Sequence, residues 1–183
     1  AFVTKVFCAD TEMVRTIAAS PCRYLADSRV ENLARSGGMG KERILLRLPM
    51  PSQAAEVVRA AEISFNSEQA ALRALSQAAR EAGLVHKAVL MIDLGDLREG
   101  IFFQNEALLL ETAAMAEADP NLELFGTAFN LTCYGSVLPS EENLAAFLEM
   151  TEKIEKQIGR RLPFISGGNS SSIPLLLAGK MPG

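Results

Sequence analysis

The chain has 183 residues, 49% hydrophobic and 22% charged, with a formal net charge of −4; this suits one globular domain with a real core and offers no basic face for a nucleic-acid backbone. No apolar run approaches the roughly 20 residues that cross a bilayer, so neither membrane nor nucleic acid is an expected partner. Cys8, Cys22 and Cys133, an odd set without metal-type spacing, and His86 as the single histidine argue against a disulfide framework and a zinc site and point to a reducing cytoplasm.

Apolar stretches alternate with stretches of helical spacing along the whole chain. A strand over 2–7 leads into a helix over 11–19, a strand over 24–26 into a helix over 28–36, and a strand over 44–48 into a helix over 53–60. Strands over 63–65, 88–93 and 124–131 precede helices over 67–82, 105–118 and 140–158, and a last strand covers 162–166. Ser67 and Ser140 stand where a side-chain oxygen caps the free amides of a helix start. This βα alternation predicts an α/β fold with a parallel sheet, either most of a barrel or an open doubly wound sheet.

The placement of polar residues decides between the two. Lys5 closes the first strand, Asp27-Ser28-Arg29 the second, Arg47 lies in the third, and Asn66-Ser67 follow the fourth. Asp93 to Arg98 follow the fifth, Asn130 and Tyr134 come with the sixth, and Ser166 to Ser172 with the seventh. Chemistry at the carboxyl ends of so many strands favours a (β/α)8, TIM-like barrel, incomplete, with about seven of its eight strand–helix units.

Three stretches carry the chemistry. Ser166-Gly167-Gly168-Asn169-Ser170-Ser171-Ser172 combines glycines, which let backbone approach a ligand, with amides and hydroxyls suited to a phosphate; a surface loop is the bland alternative. Asp93-Leu94-Gly95-Asp96-Leu97-Arg98-Glu99-Gly100 packs charges and glycines behind an apolar strand, where plain turn-making is an even alternative and Arg98 argues against a metal. Lys5, inside an apolar run, reads equally as a snorkelling side chain or as a desolvated amine ready to form an imine.

Val3-Thr4-Lys5-Val6-Phe7-Cys8, Leu25-Ala26-Asp27-Ser28-Arg29, Leu45-Leu46-Arg47-Leu48-Pro49-Met50 and the two stretches around Arg98 and Asn169 resemble, in order and spacing, the alanine/ornithine racemase family, closest to its ornithine racemase-like branch. The resemblance implies a barrel that binds pyridoxal phosphate at its strand carboxyl ends, with Lys5 as the catalytic residue that forms an imine with the cofactor aldehyde. It implies Arg98 near the cofactor's phenolic oxygen and Asn169 and Ser170 on its phosphate, Ser166 opening the same stretch. Asn130 falls where other members place a histidine against the pyridine ring. The implied activity is racemisation of a small amino acid, ornithine-like, alanine or serine, by a homodimer when full length. Lys5 would serve one face of the substrate, and Tyr134 or Cys133 is the candidate on the other.

Two departures stand out. Ala9 occupies the place of a tyrosine four residues past the lysine, and the arginine expected against the pyridine nitrogen lies beyond residue 183. Residues 1–183 are therefore expected to be a piece of the N-terminal-type barrel domain, without its first strand, last strand and C-terminal domain. Two other readings remain open: a non-catalytic cofactor-binding protein, and a cofactor-free barrel enzyme using Lys5 as a Schiff-base lysine. Arg29, Arg47 and Arg98 are candidates for a substrate carboxylate, and Asp27, Asp93 and Asp96 for a distal amine.

Overall fold

The computed structural model describes residues 1–132 and 137–181. The backbone forms two compact units, residues 1–88 with 120–123, and residues 89–119 with 124–183. The strand–helix alternation expected from the sequence holds throughout, with edges moved by tertiary contacts.

In the first unit, β1 (Phe2–Val3), β2 (Tyr24–Asp27), β3 (Glu42–Leu45) and β4 (Ile63–Asn66) pair in parallel, in chain order. Helices α1 (Thr11–Ala18), α2 (Val30–Arg35) and α3 (Ala54–Ala60) connect them, and α4 (Gln69–Ala82) follows β4. Leu25, Ile44, Ile63, Leu72 and Leu75 are fully buried, each contributing roughly 1.5–3 kcal/mol of hydrophobic stabilisation. Asp10 caps α1 by accepting from the Glu12 and Met13 amides, and Gly83 ends α4 in the left-handed conformation its φ of 67° requires. Ser67 does not cap α4 as expected; Glu68 takes the capping position, without a side-chain bond.

Strand β5 (His86–Asp93) begins in the first unit, where the Lys87 amide donates to Glu62 O, and continues into the second. There it pairs with a two-residue strand, β6 (Ile101–Phe102), too short to be read from periodicity. Helices α5 (Glu106–Ala118) and α6 (Glu141–Ile158) lie side by side, tied by Lys153–Glu106 at 2.8 Å, while Arg160, just past α6, pairs with Glu117 at 2.6 Å. Ser140 caps α6 in a reciprocal pair with Asn143, as its position predicted. Strand β7 (Leu122–Ala128) pairs in parallel with β8 (Phe164–Ser166), and α7 (Ile173–Leu177) starts with Pro174 in its first turn. Gly126 is required in β7, because a Cβ there would lie 1.9 Å from Phe164 O.

Candidate functional site

The first unit carries Lys5 at the carboxyl end of β1. The strand stops at Val3, so Lys5 is not inside it; it opens a 3-10 turn, Lys5–Phe7, and its side chain is exposed. The physical reason is Thr4, whose amide donates to Ala26 O at 2.8 Å and whose hydroxyl donates to Asp27 Oδ2 at 2.7 Å. The chain then turns back, with the Ala9 amide donating to Thr4 O at 3.1 Å. Desolvation therefore plays no part in marking Lys5, and its amine has no partner among the described residues.

Asp27 is the hub of this edge. Fully buried, it accepts from Thr4 Oγ1, from the Arg29 amide at 2.9 Å and from Asn32 Nδ2 at 3.1 Å on each oxygen. A carboxylate so saturated fixes the ends of β1, β2 and the start of α2, and it has no capacity left for a substrate amine. Arg47 lies two residues past β3 rather than in it, and is exposed like Arg29. The strand starts earlier than its apolar residues suggest because Glu42 and Arg43 are paired with Lys87 and Glu62. Burial pushes the Glu62 carboxyl up, but the Arg43 hydrogen bonds and charge outweigh it and hold it below the usual range.

The other sequence candidates lie in the second unit, where three of them are linked. Asn130 Nδ2 donates to Glu99 Oε1 at 2.7 Å, and Asn130 Oδ1 accepts from Asn169 Nδ2 at 2.5 Å. Arg98 NH1 stands 3.6 Å from the same Glu99 oxygen. Asn169 Nδ2 also donates to Leu131 O at 2.8 Å, and its Oδ1 accepts from the Ser171 amide at 2.9 Å. The Asn169 side chain is thus spent on shaping the loop, and what it leaves for a ligand is its backbone amide. That amide and the one of Ser170 have no acceptor among the described residues, and the Ser170 hydroxyl is exposed. Ser166 is half-buried at the end of β8, paired with Ala128.

Two residues around this loop were not singled out individually. Ser172 is buried with its Oγ unpartnered among the described residues, and Gly168, at φ 88°, sits so close to Phe129 and Ser172 Oγ that a Cβ would come within 2.7 and 2.8 Å of them. Glu99 joins Arg98 to Asn130, a link its place beside Arg98 in the sequence does not disclose. Among the described residues no three His, Cys, Asp or Glu side chains are grouped to hold a metal, and no helix is long and apolar enough to cross a membrane. Cys133 and Tyr134 lie outside the described residues.

The family described as alanine racemase, N-terminal domain, matches residues 2–180. The chain belongs to that family. It is 39% identical over 182 residues to an ornithine racemase from Acetoanaerobium sticklandii, covering 100% of this chain and 51% of that protein. It is 33% identical to a lysine racemase from Thermotoga maritima, covering 98% of this chain and 50% of that protein. The chain thus spans about half the length of the curated relatives it matches. Among solved structures it is similar to PipY from Synechococcus elongatus at 19% identity, covering 97% of this chain and 84% of that one, with TM-scores of 0.81 without PLP and 0.78 with PLP bound. The α/β fold expected from the alternation, that of the barrel domain of this family, is borne out.

Proposed function

We propose that this chain carries the pyridoxal-phosphate-binding domain of an amino-acid racemase acting on a basic amino acid such as ornithine or lysine, paired as a homodimer in the full protein. The observation that carries the reading is its 39% identity, across its whole length, to an ornithine racemase, and the lysine racemase supports the same substrate class.

The residues present fit the cofactor. An aldehyde calls for a primary amine free to form an imine, and Lys5 offers one that is exposed and unpaired among the described residues. A phosphate calls for clustered donors and close backbone approach, which the unacceptored amides of Asn169 and Ser170, the orphaned Ser172 hydroxyl and the Gly168 cradle supply. In this reading Asn169 and Ser170 hold the phosphate, Ser166 borders it, and Arg98 and Asn130, steadied by Glu99, contact the ring. When bound, the cofactor supplies an electron sink for the substrate's Cα–H bond. Lys5 removes and returns the proton at Cα from one face, and the donor for the opposite face is sought at Cys133 or Tyr134.

The test is chiral chromatography of L-ornithine, L-lysine, L-alanine and L-serine after incubation with the purified protein and pyridoxal phosphate, alongside the absorption spectrum. D-ornithine or D-lysine should form faster than the other D-amino acids. A yellow protein without turnover on any of them would identify a cofactor-binding protein instead. A protein that stays colourless with added cofactor would favour cofactor-free lysine chemistry.

A further inference from the structure

In the first unit, the residues just after β2, helix α2 and the segment that follows β3 line a cavity of about 340 Å³, near the lower end of small-molecule sites. Its walls carry three arginines, Arg29, Arg35 and Arg47, and one carboxylate outside the saturated Asp27 hub, Glu31. Arg35 is anchored: it donates to Cys8 O at 3.1 Å and to Asn32 Oδ1, and Asn32 is in turn held by Asp27. The side chains of Arg29, Arg47 and Glu31 have no partner among the described residues. Unpaired guanidinium groups around one cavity repel each other and offer forked donors that match a carboxylate. Glu31 in the same cavity works against a polyanion and in favour of a ligand that also carries an ammonium group. Gln53 and Ser28 add neutral polar groups to the lining.

We propose that Arg29 and Arg47 form a carboxylate-binding subsite for an amino acid, with Glu31 selecting ligands that bear a cationic amine. The proposal rests on the reading of the protein as one that acts on amino acids, but it requires neither the cofactor nor turnover.

Isothermal titration of the purified protein with pentanoate, L-ornithine and inorganic phosphate separates the contributions. Pentanoate has a carboxylate and no amine, so it reports the arginines without imine chemistry at Lys5. Arg29→Gln and Arg47→Gln should each weaken pentanoate and ornithine by about tenfold or more, the loss of charge-assisted hydrogen bonds. Arg47→Lys should recover only part of that loss, and Glu31→Gln should weaken ornithine while sparing pentanoate. Melting temperatures of these exposed-residue variants confirm folding. Wild-type protein that binds neither pentanoate nor ornithine, a double Arg→Gln variant with unchanged affinity, or phosphate bound more tightly than pentanoate in a manner that the double Arg→Gln variant abolishes would each overturn the subsite. Pentanoate binding that is intact and arginine-dependent, without L-to-D conversion, would count against the racemase and leave the subsite standing.

Discussion

His86 is the chain's one histidine, buried at the start of β5 with Nε2 2.8 Å from Ser64 Oγ and Nδ1 without a partner among the described residues. Protonation would put a second N–H on a buried ring where no described residue accepts it. Burial accordingly pushes its pKa down from 6.5 to about 4, against the pull of the Glu62 charge. Above the unfolded value both states are neutral and nothing changes with pH. Below it the unfolded chain takes up a proton that the folded chain refuses, so stability falls as pH drops, by at most about 1.4 kcal/mol per unit, levelling off near the folded value. The full loss is about 3 kcal/mol, of which about 1 kcal/mol appears between about pH 7 and about pH 5.5, before carboxylates titrate appreciably. Glu62, held below its usual 4.5, contributes stability that is lost only at lower pH. Urea denaturation followed by circular dichroism across that upper window should show the loss in wild type and not in His86→Gln, whatever the offset between them. Equal pH slopes for the two proteins would refute the burial argument.

Under the proposed function, Lys5→Ala should lower racemisation by roughly 10²–10⁴-fold and remove the cofactor's imine absorption band, while leaving the melting temperature unchanged because the side chain is exposed. Asp27→Ala strips the shared acceptor from Thr4, Asn32 and the Arg29 amide, and should cost about 3 kcal/mol in denaturant titration. Gly126→Ala drives a Cβ onto Phe164 O, backbone against backbone, and should cost at least about 3 kcal/mol or yield insoluble protein, read from soluble expression and melting. Gly168→Ala combines a left-handed φ with contact on Phe129 and Ser172 Oγ; it should cost about 1–3 kcal/mol and weaken pyridoxal phosphate retention on dialysis more than Gly167→Ala.

The alternation of strands and helices was legible because buried parallel strands are continuous apolar runs, and the interior of β5, Ala88 to Ile92, is one. The edges were not, because long-range partners set them. Glu42 and Arg43 look like loop residues until Lys87 and Glu62 are brought alongside. Residues 2–7 look like one strand until the Thr4 hydroxyl finds Asp27, 23 residues away. Ile173 to Leu177 reads as an apolar run, yet forms a short helix with Leu176 and Leu177 exposed. The glycine–asparagine–serine loop was visible as composition, whereas its bracing by Asn130 and Glu99 depends on separations of 39 and 31 residues that no local pattern encodes.

Backbone strain is a feature of the fold that no sequence pattern discloses. Among the described residues the non-glycine positions with positive φ are Cys8 at 53°, Ala9 at 51°, Leu97 at 54° and Thr132 at 65°. Each costs of order 1 kcal/mol or more and persists only where the surroundings over-determine it. Cys8 and Ala9 close the turn that Lys5 opens, Leu97 immediately precedes Arg98, and Thr132 lies two residues past Asn130. Ala9 is held there by its amide bond to Thr4 O and by packing against Val14 and Leu25, which leaves room only for a small residue. Strain spread at random would have no reason to gather beside Lys5, Arg98 and Asn130. Cys8 and Ala9 thus fix the turn that presents the exposed Lys5 side chain, and Leu97 and Thr132 fix the backbone next to Arg98 and near Asn130.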